Sequence, residues 1–355
     1  YNRAVRAPNV VELFAQQFVG LGGTVDPCAG AAVGGLVNGN TAAQCANSGV
    51  TAGQFGNITP NPANQYNAEF GGNPNLKPEK ADTYTAGVVL QPRWIPGLAL
   101  TADYFNIKIK GLIGTLPFQT ILKSCISSDF LCNLVHRAPN GSLWAGSPPG
   151  FVQTTNINVG GESTRGFDFN GSYSRRLGGL GTLNVSYVGT YLKTLVLDTG
   201  VNPGITGLDG KFDCVGFYGN TCGTPIPQYR HKFRVGFTLP NGLGISGQWR
   251  YFGGVKLDEF SSDCDLGSTS NGGCDGTVVP PKDANIAAQS FFDLTLTARI
   301  GDRYNFRLGA NNILDKTPPI VGGEVSNAPF GNGNTYPQVY DALGRFIFAG
   351  VTVDF

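Results

Sequence analysis

The chain has 355 residues, 41% hydrophobic and 11% aromatic, which excludes a disordered polymer even though glycine and proline make about a fifth of it. A net charge of +1, with no run of lysine or arginine, supplies no field to attract nucleic acid, so that function is excluded. No stretch approaches the roughly 20 consecutive apolar residues of a spanning helix, which leaves strands as the only way to cross a bilayer.

Residues 1–7 read as the end of a strand stopped by Pro8, with Val10 to Phe14 leading away. A polar, Gly/Asn-rich stretch runs on to about Lys80, after which two-residue alternation recurs. Successive strand side chains point to opposite faces, so each alternating run predicts a strand with one apolar face. The first apolar sets are Tyr84, Ala86, Val88, Leu90; Leu98, Leu100, Ala102, Tyr104; Phe167, Phe169, Tyr173; and Leu183, Val185, Tyr187, Tyr191. Phe233, Val235, Phe237, Leu239 and then Leu243, Ile245, Trp249, Tyr251 form the next pair. The clearest hairpin follows, with Phe292, Leu294, Leu296, Ala298 and Ile300 joined by Gly301-Asp302-Arg303 to Tyr304, Phe306, Leu308 and Ala310. Ile347, Ala349, Val351, Val353 and Phe355 complete ten strands, the first one partial. Phe105, Ile107 and Ile109 switch parity after Tyr104, which predicts a bulge there.

The connections alternate in size. Residues 92–96, 178–180, 240–242 and 301–303 are short turns, whereas about 13–79, 112–159, 194–228, 254–289 and 314–343 are long. Antiparallel strands place successive connections at opposite ends, so one rim carries tight turns and the other all the large loops. This predicts an all-β fold, an antiparallel transmembrane β-barrel, rather than a soluble sandwich. Strand lengths suit the roughly 9–11 residues that cross an apolar layer when tilted. Tyr84, Tyr104, Tyr173, Tyr191, Tyr251 and Tyr304 lie near strand ends, where amphipathic rings suit the headgroup region.

The eight cysteines fall as Cys28 and Cys45, Cys125 and Cys132, Cys214 and Cys222, Cys264 and Cys274, each pair inside one long connection. Sequential pairing closes four local loops and implies an oxidising compartment, which makes the long-loop rim the outer one. The spacings do not suit zinc. Asp258 to Asp265 offers oxygen ligands without the order of an EF-hand, so no metal site is assigned. His136 and His231 are the only histidines and are too far apart in the pattern to form a shared base. With no nucleophile elbow or phosphate loop, no enzyme is expected, and no cofactor.

Two sets of residues are candidates for function. Asp103, Asp168, Arg176, Arg230, Lys232, Arg234, Arg250, Asp293, Arg299 and Arg307 alternate with the apolar sets and are expected to face the lumen or whatever fills it. Arg230, Lys232 and Arg234 align on one strand face, suited either to solvation or to guiding an anionic ligand. Loop aromatics Phe118, Trp144, Phe151 and Phe217 form the second set, with Tyr218, Phe260, Phe330 and Tyr336. They either stack on a ligand or tie the loops together.

Several stretches resemble TonB-dependent outer-membrane receptors. These are Tyr1-Asn-Arg-Ala-Val-Arg-Ala-Pro-Asn-Val-Val-Glu-Leu-Phe14, Asn73-Pro-Asn-Leu-Lys-Pro-Glu-Lys-Ala-Asp-Thr-Tyr-Thr-Ala-Gly87 entering a strand, Thr101-Ala-Asp-Tyr-Phe-Asn-Ile-Lys-Ile109, Thr164-Arg-Gly-Phe-Asp-Phe169 and Asn311-Asn-Ile-Leu-Asp-Lys316. The terminal strand, ending in Phe355, is similar to the insertion signal of such barrels. The resemblance covers essentially residues 1–355 and implies the C-terminal portion of a 22-stranded barrel, with the plug domain, its TonB-contact segment and about twelve strands outside this sequence. It further implies residence in the bacterial outer membrane among lipid and lipopolysaccharide, and energised import of an unidentified ligand driven by TonB-ExbB-ExbD. Siderophore-iron, a cobalamin-like cofactor, an oligosaccharide and a peptide all fit. The competing readings are a passive porin and a surface adhesion barrel.

Overall fold

The computed structural model describes residues 1–198, 200, 210–219, 222–261, 284–301, 303–322 and 334–354. Ten strands form one antiparallel sheet in chain order. They are β1 (Asn2–Arg6), β2 (Glu79–Leu90), β3 (Leu98–Gly114), β4 (Ile157–Arg176), β5 (Thr182–Asp198), β6 (Tyr229–Thr238), β7 (Leu243–Phe252), β8 (Gln289–Ile300), β9 (Tyr304–Asn311) and β10 (Phe346–Val353). A short strand, Lys211–Asp213, adds to the loop end of β5. These are the ten strands read from the alternation, and Phe355 of the last one lies outside the described residues.

The register joins the apolar sets into continuous rows. Leu90, Leu100, Gly171, Tyr187, Phe233, Trp249 and Phe292 sit opposite one another from β2 to β8. Leu183, Phe237, Ile245, Leu296, Leu308 and Ala349 do so from β5 to β10. This face is open: Phe292, Leu296 and Ile300 are 40%, 44% and 60% exposed. Water-soluble monomers rarely leave so continuous an apolar surface bare. A sheet whose ladder already pairs its backbone amides can instead set that surface against hydrocarbon.

The bulge is displaced from its expected position. β3 pairs with β2 and β4 in unbroken register through Phe105, Ile107 and Ile109. These three side chains therefore lie on the polar face, and the Phe105 ring occupies space that a Cβ at Gly166 would approach to 2.9 Å. The register shift falls between β4 and β5 at Arg165/Gly166, where Lys193 is the extra residue.

Short turns close one rim, and at the first of them Gly97, at φ 87°, lies so close to β4 that a Cβ would stand 2.0 Å from the Ser174 carbonyl oxygen. The long connections hold apolar cores. Strands Phe18–Gly23, Tyr66–Phe70, Phe151–Gln153 and Val135–His136 make a small sheet from the first two loops. Against it packs the helix Phe118–Ser128, which buries Phe118, Ile121, Leu122 and Cys125 at helical spacing on one face, and the helix Ala42–Asn47 packs in turn on that helix. A second core joins the later loops through Tyr218, Leu257, Ile286, Val321, Tyr336 and Tyr340. Each fully buried large apolar side chain contributes roughly 1.5–3 kcal/mol, so these cores hold the loops as folded bodies.

Placing a charge in the open apolar face tests its environment. Leu296→Arg is expected to lower the stability of the lipid-assembled barrel by about 2–4 kcal/mol, whereas Thr295→Arg on the opposite face changes it little. Urea titration of protein assembled in lipid vesicles reads both; equal effects would mean that the two faces meet the same medium.

Candidate functional site

The residues most suggestive of function gather where the polar face meets the long-loop rim. Arg6, at the end of β1, donates to both oxygens of Glu79 at the start of β2, at 2.6 and 2.7 Å, and to Glu12 at 3.0 Å. Glu12 also caps the short helix Val10–Phe14 by accepting from the Asn9 backbone N–H at 2.8 Å, while Asn9 Oδ1 accepts from Glu12 N. Glu79 Oε1 takes the Ile113 N–H of β3 at 2.8 Å. Two stretches far apart in sequence, the one ending Glu-Leu-Phe and the one ending Lys-Pro-Glu, thus form a single clip on three strands.

A second clip lies across the sheet. Arg250 of β7 makes paired hydrogen bonds to Asp293 of β8, at 2.8 and 2.8 Å, and to Asp341 in the last loop, at 2.9 and 2.6 Å. Its guanidinium stands 5.4 Å from the centre of the Phe291 ring. Asp293 also accepts from Gln248 and from the Asn312 backbone N–H. Asn312 is fully buried, and its side-chain amide closes a turn onto Lys316 N and O at 2.9 and 2.8 Å. A third clip, buried between the first two loops, pairs Arg137 with Asp26 at 2.7 and 2.9 Å. No local pattern in the sequence marks Asp26, Arg137 or Asp341 as partners, because each meets its counterpart only through loop packing.

The charged residues expected to face the lumen all occupy the polar face by register. Asp103 and Asp168 sit directly opposite each other on β3 and β4. The pair leans apart: Asp103 covers Gly87, where a Cβ would stand 1.9 Å from its Oδ1, while Asp168 accepts from Thr190 Oγ1 at 2.7 Å. Arg230, Lys232 and Arg234 are exposed at alternate positions of β6, with Arg234 donating to Ser246 Oγ at 2.9 Å. Arg176 and Arg299 lie near the short-turn end, and Arg307 stands 5.3 Å from the Phe348 ring centre.

The loop aromatics divide. Phe118, Tyr218 and Tyr336 are buried in the two loop cores and present no ring face to a ligand, the arrangement in which such rings tie loops together. Trp144, Phe151, Phe217 and Phe260 are half-buried, and Trp144 Nε1 donates to Thr59 O at 3.1 Å. Phe330 lies outside the described residues. Disulfides join Cys28 to Cys45, Cys125 to Cys132 and Cys214 to Cys222, as sequential pairing requires. Cys264 and Cys274 lie outside the described residues, as do residues 262–265 of the Asp258 to Asp265 stretch. Asp258 itself is buried and accepts from Cys222 N at 2.9 Å. His231 faces the apolar side, its ring edge-on to Trp249 at 4.5 Å, and takes no part in the polar cluster.

A two-faced antiparallel sheet with every large loop on one rim defines the wall of a transmembrane β-barrel. Comparison with known proteins gives the family: the model described as TonB dependent receptor-like, beta-barrel, matches residues 1–313, and the chain belongs to that family. Similar solved structures include a variant of the ferric enterobactin receptor PfeA from Pseudomonas aeruginosa, with 15% identity, a TM-score of 0.56, and 99% of this chain and 37% of that one covered. The siderophore receptor PirA from Acinetobacter baumannii is similar at 14% identity and TM-score 0.51, over 99% of this chain and 38% of that one. The chain therefore spans a little over a third of the length of these receptors. No curated protein matches.

Arg250→Ala strands two carboxylates beside each other and is expected to cost about 3 kcal/mol. Hydrogen exchange across residues 334–346 should accelerate while that of β4 stays unchanged; unaltered protection of the last loop would show that the clip does not hold it. A second expectation concerns pH. Burial first, and the charge of Asp258 second, push the Tyr336 phenol from its ordinary 10.0 up to about 12, and burial, then Tyr336, drives Tyr340 upward as well. The unfolded phenol ionises first, so the stabilisation is full below pH 10 and is lost as pH rises toward 12. Tyrosinate absorbance and loop proteolysis should rise together in that window, and Tyr336→Phe should shrink the effect.

Proposed function

We propose that the chain is the C-terminal portion of the barrel of a receptor that imports a scarce small ligand across the bacterial outer membrane, with TonB-ExbB-ExbD supplying the energy. The observation that carries this reading is the polar face, where β6 aligns Arg230, Lys232 and Arg234 beneath a rim of packed loops. Three exposed cations at alternate positions set up a local field that favours an anionic solute moving along that strand. In this proposal the long-loop rim faces outward, the disulfides brace it, and half-buried Trp144, Phe151, Phe217 and Phe260 offer ring edges to the arriving ligand. Arg250 and Asp293 are engaged in the loop clip, and the remaining polar-face charges, Asp103, Asp168, Arg176, Arg299 and Arg307, meet water or a plug contributed by the rest of the receptor. Membership of the family and the fraction of the solved receptors that the chain spans support placing it within a larger barrel. A ferric siderophore is the first ligand to try, since the solved structures of similar fold carry that description.

Uptake by cells producing the full-length receptor should require TonB and should fall several-fold when Arg230, Lys232 and Arg234 are all replaced by Gln. Uptake undiminished in cells without TonB, accompanied by steady conductance of the purified receptor in planar bilayers, would replace this reading with a passive porin. Cell attachment that depends on the loops while no ligand crosses would replace it with an adhesion barrel.

A further inference from the structure

β3, β4 and β5 are longer than a crossing requires. They hold 17, 20 and 17 residues, against the roughly 9–11 that traverse an apolar layer, whereas β6, β7, β9 and β10 hold 10, 10, 8 and 8. The excess lies at the long-loop end, above a row in which Tyr104, Phe167, Tyr191 and Tyr229 stand opposite one another on the apolar face. Such rings mark the edge of the hydrocarbon layer, so the wall above them stands among headgroups.

On that upper wall the apolar face turns basic. Continuing up β3 on the same face come Asn106, Lys108 and Lys110, facing Arg165, Ser163 and Gly161 of β4 and Tyr84, Asp82 and Lys80 of β2. Arg3 faces Asp82, and Lys211 faces Asp198. All six cations, Arg3, Lys80, Lys108, Lys110, Arg165 and Lys211, are exposed. The two carboxylates on this surface are engaged, Asp82 by the Tyr1 hydroxyl at 2.8 Å and by Arg3 at 3.7 Å, and Asp198 by Lys211 at 3.2 Å. Among the described residues, Lys80, Lys108 and Lys110 make no ion pair. At the same end of β6 to β8 this face carries Tyr229, His231, Tyr251 and Ser290 instead, so the charge is confined to one sector of the wall.

The sector also has a recess. Gly161 separates Lys110 from Asp198 in register, and a Cβ there would stand 2.2 Å from the Ile109 carbonyl oxygen, so the position admits no side chain. The notch left above it has a volume of about 380 Å³ and is bordered by Lys108, Lys110, Ser163, Asp198 and Lys211, with Glu162, whose register places it on the opposite face, also on its lining.

We propose that this sector binds lipid through a phosphate on the headgroup, with the phosphate in the Gly161 notch between Lys108, Lys110 and Lys211 and the acyl chains lying against the rings below. The placement rests on the apolar face being embedded in the membrane, and it does not depend on which ligand the receptor imports. Charge complementarity selects the occupant: several unpaired cations at headgroup height attract an anionic surface, and a neutral headgroup gains nothing there.

The test uses the full-length receptor in detergent micelles, titrated with phosphatidic acid or with diacylglycerol of the same chains and read by native mass spectrometry. Phosphatidic acid should be retained roughly tenfold more than diacylglycerol, and Lys108→Gln, Lys110→Gln and Arg165→Gln combined should abolish the preference. Lys123→Gln, on a loop helix, should leave it intact. Equal retention of the two lipids, or a triple variant that behaves as the parent, would overturn the proposal. Displacement of the phosphatidic acid by inorganic phosphate at equal concentration would also overturn it, by assigning the notch to a free anion. A receptor that stays monodisperse without detergent and retains neither lipid would instead bring down the membrane reading beneath it. Since all the substituted side chains are exposed, retained heat-modifiable migration on electrophoresis should confirm that each variant is folded.

Discussion

Hydrocarbon offers no partner to a backbone amide, and this constraint governs the whole molecule. The antiparallel ladder answers it by pairing each interior strand with both neighbours, so that only side chains need suit the surroundings. The open row from Leu183 to Ala349 suits lipid, and the opposite face, with its arginines and aspartates, suits water or polar protein. A sheet of this kind needs no core between layers, which is why the buried residues lie elsewhere.

They lie in the loops. A barrel wall ends in long connections whose own backbone must be satisfied in water, and among the described residues that demand is met with compact apolar cores, disulfides and three ionic clips. Two of the clips are placed where strands emerge from the sheet. Arg6 binds Glu79 at the mouth of the first loop, and Arg250 binds Asp341 at the mouth of the last, so loop position is set by the wall itself. The long-loop rim is therefore a folded surface whose order is set by packing.

Family motifs acquire a physical meaning in this arrangement. Arg6 and Glu12 are drawn from one motif and Glu79 from another, and their spacing of several dozen residues is a loop closed by a salt bridge. Gly166 leaves room for Phe105, and Asn312 replaces missing backbone partners where β9 leaves the sheet. These residues hold strands and loop mouths in place.

The strands, their order, their two faces and the alternation of short and long connections were legible in the amino-acid sequence. A period of two is a local property, and side chains at i and i+2 share a face whatever the strand pairs with. The sequential pairs Cys28–Cys45, Cys125–Cys132 and Cys214–Cys222 were legible for the same reason, since each closes a short loop. What local pattern could not carry was the identity of partners distant in the chain. The parity change after Tyr104 looked like a bulge because only neighbours were in view, whereas the pairing with β2 and β4 runs through it and puts the irregularity at Lys193. Whether Phe118, Tyr218 and Tyr336 stack on a ligand or tie the loops together was open in the sequence, because the loops around them are rich in glycine and polar residues. Burial depends on which loops fold against one another, and that, like the meeting of Arg137 with Asp26 or of Arg250 with Asp341, was decided only by the tertiary structure.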